Sequence, residues 1–420
     1  MSIDILVFVN QDFDSDSRVN RAVRFLAQHG YRIAVASRTS KNRIGRRADH
    51  EWGRLYYFRQ FKAGRLSWLG PLVCFASAET KRTDGSGVRG GHLRCLKHFL
   101  RDLLYLGQLF NLLLLNLRLV FRFYSLPVKL YYPNDFDVLG AAGALAWLHQ
   151  KPLVYETHEL YVDQLSAYPA WYRRTLMLLE GWWAKRSINV ITVGEYIAST
   201  LHERYRLDSQ PTVIRSCPPY QRVTKVSHLK YPVKLLYHGA YHPERGLEQS
   251  ILAMHHIDNA HLYLRGFGYW EKPLRDLVNK EKLESKVTFL APVPMKQVVE
   301  AAAPFDIGVG AFQDVSLNSR YCLPNKIFEY LMAGLALAVS DLPELRRIVN
   351  GYNVGVTFDP SDPADIARQV RNLLADPDLL HQMQSNALGV ARDVFKFESE
   401  GEKLVGIIED IIGRGSRCAE

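Results

Sequence analysis

Residues 324–334 read Pro-Asn-Lys-Ile-Phe-Glu-Tyr-Leu-Met-Ala-Gly and set a cation and a carboxylate close together at what reads as the start of a helix. Pro324 suits the first turn, where its missing N–H costs nothing, and Gly334 suits the far end. Lys326 and Glu329 then lie about one turn apart, near a terminus whose free N–H groups and positive dipole attract phosphate oxygens. An ammonium there can neutralise a diphosphate, and a carboxylate one turn on can accept from two vicinal hydroxyls such as a ribose presents. The same residues also describe an ordinary amphipathic helix, with Ile327, Phe328 and Leu331 in a core and both charges in water.

A second cation stands in the run Tyr237-His238-Gly239-Ala240-Tyr241-His242-Pro243-Glu244-Arg245-Gly246. Gly239 follows an apolar strand-like run, where the lack of a Cβ lets a ligand approach the backbone, and Arg245 offers a forked phosphate-binding group. The Gly-x-Gly of Gly266 and Gly268 lacks the third glycine of a dinucleotide fingerprint, so it reads as backbone shape. In the first half, Val154-Tyr155-Glu156-Thr157-His158-Glu159 runs from a strand into a loop, the place where open α/β sheets present side chains to a ligand. His158 is either reactive there or a structural histidine satisfied by backbone. Three Asp-x-Asp pairs, at residues 12–14, 14–16 and 135–137, resemble metal-chelating runs, which this much aspartate also produces by chance.

Glu329, the helix to Gly334, the apolar run 335–340 and Asp341-Leu342-Pro343-Glu344 resemble the donor-binding segment of family-four glycosyltransferases of the GT-B fold. The resemblance runs from the first strand to a terminal helix near 398–412. It implies two Rossmann-like doubly wound α/β domains facing each other across a cleft, and a retaining transfer of a sugar from a nucleotide-diphosphate donor. Of the family's two donor glutamates, the ribose-binding one is Glu329, and the other falls at Tyr321. Arg245 and Lys326 become the pair that holds the diphosphate, with Asn325 beside them in a Leu-Pro-Asn-Lys-like segment and Gly239 beneath. His158 is placed next to the transferred sugar, with Glu159 orienting it or binding substrate. Asp16 and Arg18, in the first strand-to-helix loop, resemble a segment facing the cleft, although its usual glycine pair is missing. The implied acceptor is a hydroxyl of a lipid-linked or cell-surface polysaccharide. No metal or cofactor is expected, because helix ends and basic residues do the electrostatic work. A nucleotide-sugar epimerase of the same architecture and a catalytically silent nucleotide-binding subunit remain as alternatives, the latter suggested by Tyr321.

The elements that must position these groups alternate strand-like and helical runs through all 420 residues, the pattern of parallel α/β domains. Strands are expected near 3–9, 31–36, 128–132, 153–156 and 189–193, then near 233–237, 261–265, 287–290, 307–310 and 335–340. Helices are expected near 18–29, 139–149 and 170–186. The first domain is read as 1–216, the Pro-rich stretch 217–232 as linker, 233–396 as the nucleotide-sugar domain, and 397–420 as a helix crossing back to the first domain. Five scattered cysteines argue for a reducing compartment without disulfide or zinc framework. The start of the chain is too short in apolar residues and too acidic for a signal peptide, which predicts a cytoplasmic protein.

The net charge of +10 is concentrated in residues 1–220, which carry +12, against −2 for the remainder. The densest part, 41–101, could meet a phosphorylated substrate or an anionic membrane. Nucleic acid is not expected, because the basic stretches lack the interleaved motifs of known modules. Within a basic and apolar insertion at about 77–126, residues 77–91 read as a flexible loop, and the leucine-rich stretch 96–130 reads in three ways. Arg118 near its centre disfavours a membrane span, a buried helix pair stays open, and a helix at the membrane interface fits best. The protein is accordingly expected to be peripheral on the inner face of the cytoplasmic membrane.

Overall fold

The computed structural model describes residues 3–39, 47–58, 88–164, 168–223 and 230–417. Arg43, Arg46, Lys62, Arg65, Lys81 and Arg82 of the basic run lie outside the described residues, as does most of the loop expected over 77–91. From Val88 onward the chain is helical.

The first half contains β1 (Ile3–Val9), α1 (Ser17–Gln28), β2 (Ile33–Arg38), β3 (Arg47–His50), β4 (Gly53–Phe58), α2 (Val88–Phe123), β5 (Val128–Asn134), α3 (Phe136–His149), β6 (Val154–Glu156), α4 (Ala170–Ala184), β7 (Asn189–Thr192), α5 (Glu195–Tyr205) and β8 (Thr212–Val213). The strand order is β3-β4-β2-β1-β5-β6-β7-β8. Pairing of β1 with β2 and β5 is parallel, with Ile5 opposite Ile33 and Leu130, and only the β3–β4 pair described is antiparallel. β1 is buried along its whole length, as a near-continuous apolar run must be when helices cover both faces of a parallel sheet.

The stretch 96–130 is one helix as far as Phe123, then a turn and the start of β5, not a helix pair. α2 is a single 36-residue helix, of which Leu115, Leu119 and Phe123 are buried. Phe123 meets Phe8 and Tyr56 edge-on, with centroids at 5.6 and 5.5 Å. Asn116 makes a polar weld in this apolar seam. Its Nδ2 donates to the carbonyls of Leu112 (2.8 Å) and Asp137 (2.9 Å), and its Oδ1 accepts the Ala141 N–H. Over 98–123 the helix is long and apolar enough to cross a membrane by length and composition, yet Asn116 and the buried side hold it flat against α3.

The second half contains β9 (Val233–Ala240), α6 (Leu247–Ala253), β10 (Ala260–Phe267), α7 (Glu271–Lys280), β11 (Val287–Leu290), α8 (Val298–Ala302), β12 (Ile307–Gly310), α9 (Leu317–Arg320), α10 (Asn325–Met332), β13 (Ala336–Ser340), α11 (Pro343–Tyr352), β14 (Gly355–Phe358), α12 (Pro363–Ala375), α13 (Pro377–Asp393) and α14 (Phe397–Arg417). Its sheet is parallel, in the order β11-β10-β9-β12-β13-β14. Numbered from β9, that is the doubly wound order 3-2-1-4-5-6. Side chains alternate between two cores as the strand period requires: Leu235 and Tyr237 face one, Leu236 the other.

The chain divides into two compact units, Met1–Thr157 with Ala167–Val190 and Ile411–Glu420, and His158–Ser166 with Ile191–Asp410. The division thus falls inside β7 rather than in the stretch 217–232 read as linker. That stretch begins in a core, because Cys217 is fully buried among the side chains of α10 and α11 and the Pro218 carbonyl accepts the Phe397 N–H at 2.9 Å.

Asn116→Ala removes three bonds in a half-buried seam, but the Ala141 N–H and Asp137 carbonyl stand four residues apart in α3 and close a helical bond with each other, so it should cost about 1 kcal/mol. Urea unfolding of the variant and wild type measures this, and equal midpoints would contradict it.

Candidate active site

β9 and β12 are neighbours, but the chain runs from β9 toward β10 and from β12 toward β13. Such a switch point opens a crevice beyond the carboxyl ends of the strands. Gly239 lies there, near the end of β9, and Phe312 follows β12. Lys326, the second residue of α10, brings its Nζ to 3.8 Å from the Tyr237 ring centroid and 5.4 Å from that of Phe312. Gly239 has φ 130°, and a Cβ on it would stand 2.8 Å from the Lys326 Nζ. Arg245 ends the turn Pro243–Arg245 with its Cζ 5.8 Å from the Phe312 ring. The next residue, Gly246, has φ 61° and packs where a Cβ would strike the Ala311 carbonyl. Among the described residues neither Lys326 nor Arg245 has a carboxylate in ion-pair contact. Burial, reinforced by the Arg245 charge, pushes the Lys326 ammonium well below its ordinary range, and Glu329 only partly opposes this. The site concentrates positive charge next to bare backbone.

Pro324 caps α10 rather than entering its first turn. Its ψ of 140° is extended, and its carbonyl accepts the Ile327 N–H at 3.1 Å. Half-buried Asn325 is therefore the first helical residue, and its N–H is among those without a helical partner. At the far end Gly334, with φ 72°, lets the Glu329 and Leu331 carbonyls accept the N–H groups of Ala333 and Gly334.

Glu329 is not a lone carboxylate. Its Oε2 accepts from His238 Nε2 at 2.8 Å, so the imidazole carries its proton on that nitrogen. The His238 backbone N–H donates to the Tyr330 hydroxyl at 3.0 Å, which in turn donates to the Val309 carbonyl. The Tyr330 ring lies on β12 where only Gly308 leaves room. Burial holds the His238 pKa below 6.5 against the opposing pull of Glu329. Its Nδ1 is buried without a hydrogen-bond partner among the described residues. The sequence signal for His238 was its place directly before Gly239, but nothing local tied it to Glu329.

His158 is buried and Glu159 exposed, on a segment that belongs with the second unit. Glu159 accepts from Gln164 Nε2 at 2.6 Å and Asn318 Nδ2 at 3.3 Å, while Asn318 Oδ1 accepts the Leu160 N–H at 2.9 Å. These bonds clamp the loop to α9. Cys322 lies just beyond α9, where burial pushes its thiol up to about 12 within the fields of Arg245, Glu159 and Lys326. Tyr321 stacks on Tyr196, centroids 5.3 Å apart and planes at 19°. Asp16 and Arg18 lie in the first unit. Asp16 caps α1, its Oδ1 accepting the N–H groups of Arg18 and Val19, and Arg18 is half-buried. In the other Asp-x-Asp pairs, Asp12 accepts the Asp14 N–H and Asp137 accepts from Asn10.

Solved structures share this architecture across almost the whole chain. Sucrose-phosphate synthase of Thermosynechococcus elongatus superposes with a TM-score of 0.71 at 15% identity, covering 98% of this chain and 100% of that one. HepE of Anabaena in complex with UDP gives 0.67 at 15% identity, covering 97% and 100%. The fold is GT-B. Residues 224–389, which hold Arg245 and α10 with Lys326, match the family model described as Glycosyl transferases group 1. Among curated proteins, the glycogen synthase of Mycobacterium tuberculosis is 24% identical over 255 residues, 59% of this chain. The alpha-D-kanosaminyltransferase of Streptomyces kanamyceticus is 24% identical over 216 residues, 50% of this chain. The chain spans 60% and 48% of the length of these relatives.

Because half-buried Lys326 stands beside a like charge, Lys326→Met should raise stability by about 1 kcal/mol while abolishing affinity for nucleoside diphosphates. Thermal melts with and without UDP check both halves of this trade. His238 has a folded pKa below its unfolded value, so the unfolded state binds the proton first and stability falls as pH drops below 6.5 toward the folded pKa. His238→Gln should therefore lose less melting temperature than wild type between neutral pH and pH about 5. Parallel pH profiles would contradict the assignment.

Proposed function

We propose that this protein is a retaining glycosyltransferase that moves a sugar from a nucleotide-diphosphate donor to a hydroxyl of a lipid-linked or cell-surface polysaccharide. The observation that carries the reading is the pairing of Lys326 with Arg245 at the switch point, two cations without carboxylate partners among the described residues, beside a glycine backbone. A diphosphate is the ligand whose charge such a pair neutralises. Glu329, braced by His238, accepts from the ribose hydroxyls and contributes binding that is equal in ground and transition states. Solved complexes of HepE with UDP and with UDP-glucose, which share the fold, support a nucleotide-sugar donor.

In the proposed reaction the bond from the anomeric carbon to the diphosphate oxygen breaks as the acceptor oxygen bonds to the same face. The acceptor proton passes to the departing phosphate oxygen, so charge balances without an added base. Lys326, Arg245 and the free amides of α10 stabilise the charge that grows on the leaving group, and no metal is required. His158 and Glu159 line the sugar end, where the clamp on Asn318 fixes their loop. Tyr321, stacked on Tyr196, brings no carboxylate there, which favours the silent-subunit reading over the epimerase as the rival.

Thermal shifts with a panel of nucleoside diphosphates and nucleotide sugars should give stabilisation by at least one of them, since a bound ligand raises apparent stability. Glu329→Ala should weaken that nucleotide strongly, and His158→Ala should lower turnover with donor affinity kept. Transfer should persist in excess chelator. Nucleotide binding with neither donor hydrolysis nor transfer would establish the silent subunit instead, and activity restored only by added magnesium or manganese would refute metal independence.

A further inference from the structure

The first unit carries an apolar face that sugar transfer does not use. Along α2, Leu103, Leu106, Phe110, Leu113, Leu117 and Phe121 recur every three or four residues and are exposed, Phe121 at 81%. They lie opposite the buried Leu115, Leu119 and Phe123. Leu178 and Trp182 of α4 and Trp147 of α3 are exposed too, Leu178 at 74%. A contiguous stripe of this kind marks an interaction surface.

Two cavities sharpen what it meets. Between α2, α3 and α4 runs a groove of about 420 Å³, walled by Leu113, Leu117, Leu179 and Trp183, with Gly140 and Ala144 also lining it. Trp183 also borders a second cavity of about 610 Å³ that is lined by Gln150, Lys151 and Arg186. An apolar slot and a cationic pocket thus share one indole. Charge on these helices is one-sided. Asp102 pairs with Arg101, Asp137 accepts from Asn10, and Glu180 is buried and accepts from Tyr155, so every carboxylate on α2, α3 and α4 has a protein partner. Arg118, Arg122, Arg174, Lys185 and Arg186 are exposed on or just after the same helices.

We propose that this face docks the protein on an anionic phospholipid bilayer, with one acyl chain in the groove and its phosphate at Lys151 and Arg186. A hydrocarbon slot that shares its Trp183 wall with a cationic pocket matches a lipid whose tail and phosphate are joined, and the surrounding arginines meet neighbouring headgroups. α2, welded to α3 by Asn116, lies in the interface rather than across it. A second copy of this chain is disfavoured, since two such faces would oppose cation to cation.

The test is sedimentation of the full chain with vesicles mixing phosphatidylglycerol and phosphatidylcholine, and with phosphatidylcholine alone. Wild type should bind the anionic vesicles preferentially. Lys151→Ala with Arg186→Ala should weaken that binding by roughly tenfold or more. Phe110→Ser with Leu113→Ser and Leu178→Ser, all at exposed positions, should abolish it with the thermal melt unchanged. Ala144→Phe, which fills the groove, should weaken it as well. Equal binding to both vesicle types, or variants that bind as wild type does, would overturn the proposal. So would a wild-type dimer that the serine variants convert to monomer while neither form binds vesicles. The assay uses no nucleotide, so its failure is separate from any failure of sugar transfer.

Discussion

Lys326 can rest against the end of β9 because residue 239 has no side chain. Its ammonium occupies the space a Cβ would need, and the positive φ of Gly239 makes the position unsuited to any other residue. The remaining geometry follows from that contact. α10 must start where its second residue reaches the strand end, which sets Glu329 one turn further, facing His238 on the same strand. Tyr330, next along the helix, then falls on β12 and requires Gly308. Glycines 239, 246 and 308 are thus a single packing solution, in which backbone gives way to one lysine, one arginine turn and one tyrosine ring.

That solution opposes stability. Bringing Lys326 and Arg245 together against aromatic rings places like charges in a region of reduced dielectric, and burial together with the Arg245 charge pushes the lysine pKa down. The surrounding sheet tolerates it because its two cores are separately complete, with buried residues of both β9 and β13 facing each. The charged cluster at the strand ends and the cores along the strands are kept apart, as the doubly wound order allows.

Much of this was legible from local chemistry. β11 and β12 fall where their apolar runs placed them, 287–290 and 307–310. Gly239, Arg245, Lys326 and Glu329 could be singled out because glycines after strands and charges at a helix start carry their meaning within a few residues. His238 could not be, since its partner lies 91 residues away. β3, Arg-Ala-Asp-His, has no apolar alternation and is a strand only because β4 pairs with it. The four-residue β14 opens on a glycine and is a strand through its pairing with β13. In 96–130 the density of leucine hid which side of the helix is covered. Asn116 decides that, through bonds to residues 137 and 141 that no periodicity predicts.

The charged hairpin strand β3 also has a bearing on how the first sheet ends. A parallel sheet whose outermost strand were β4, with Leu55 and Tyr57 in its run, would offer an unpaired apolar edge to any other chain. β3 covers that edge with four residues whose Arg47 and Asp49 pair with each other at 2.9 Å. At the opposite end β8 is only two residues long. One border is short and the other carries charge, so neither is a good template for recruiting a foreign strand, and the sheet is protected against amyloid-like growth at the cost of a single antiparallel turn.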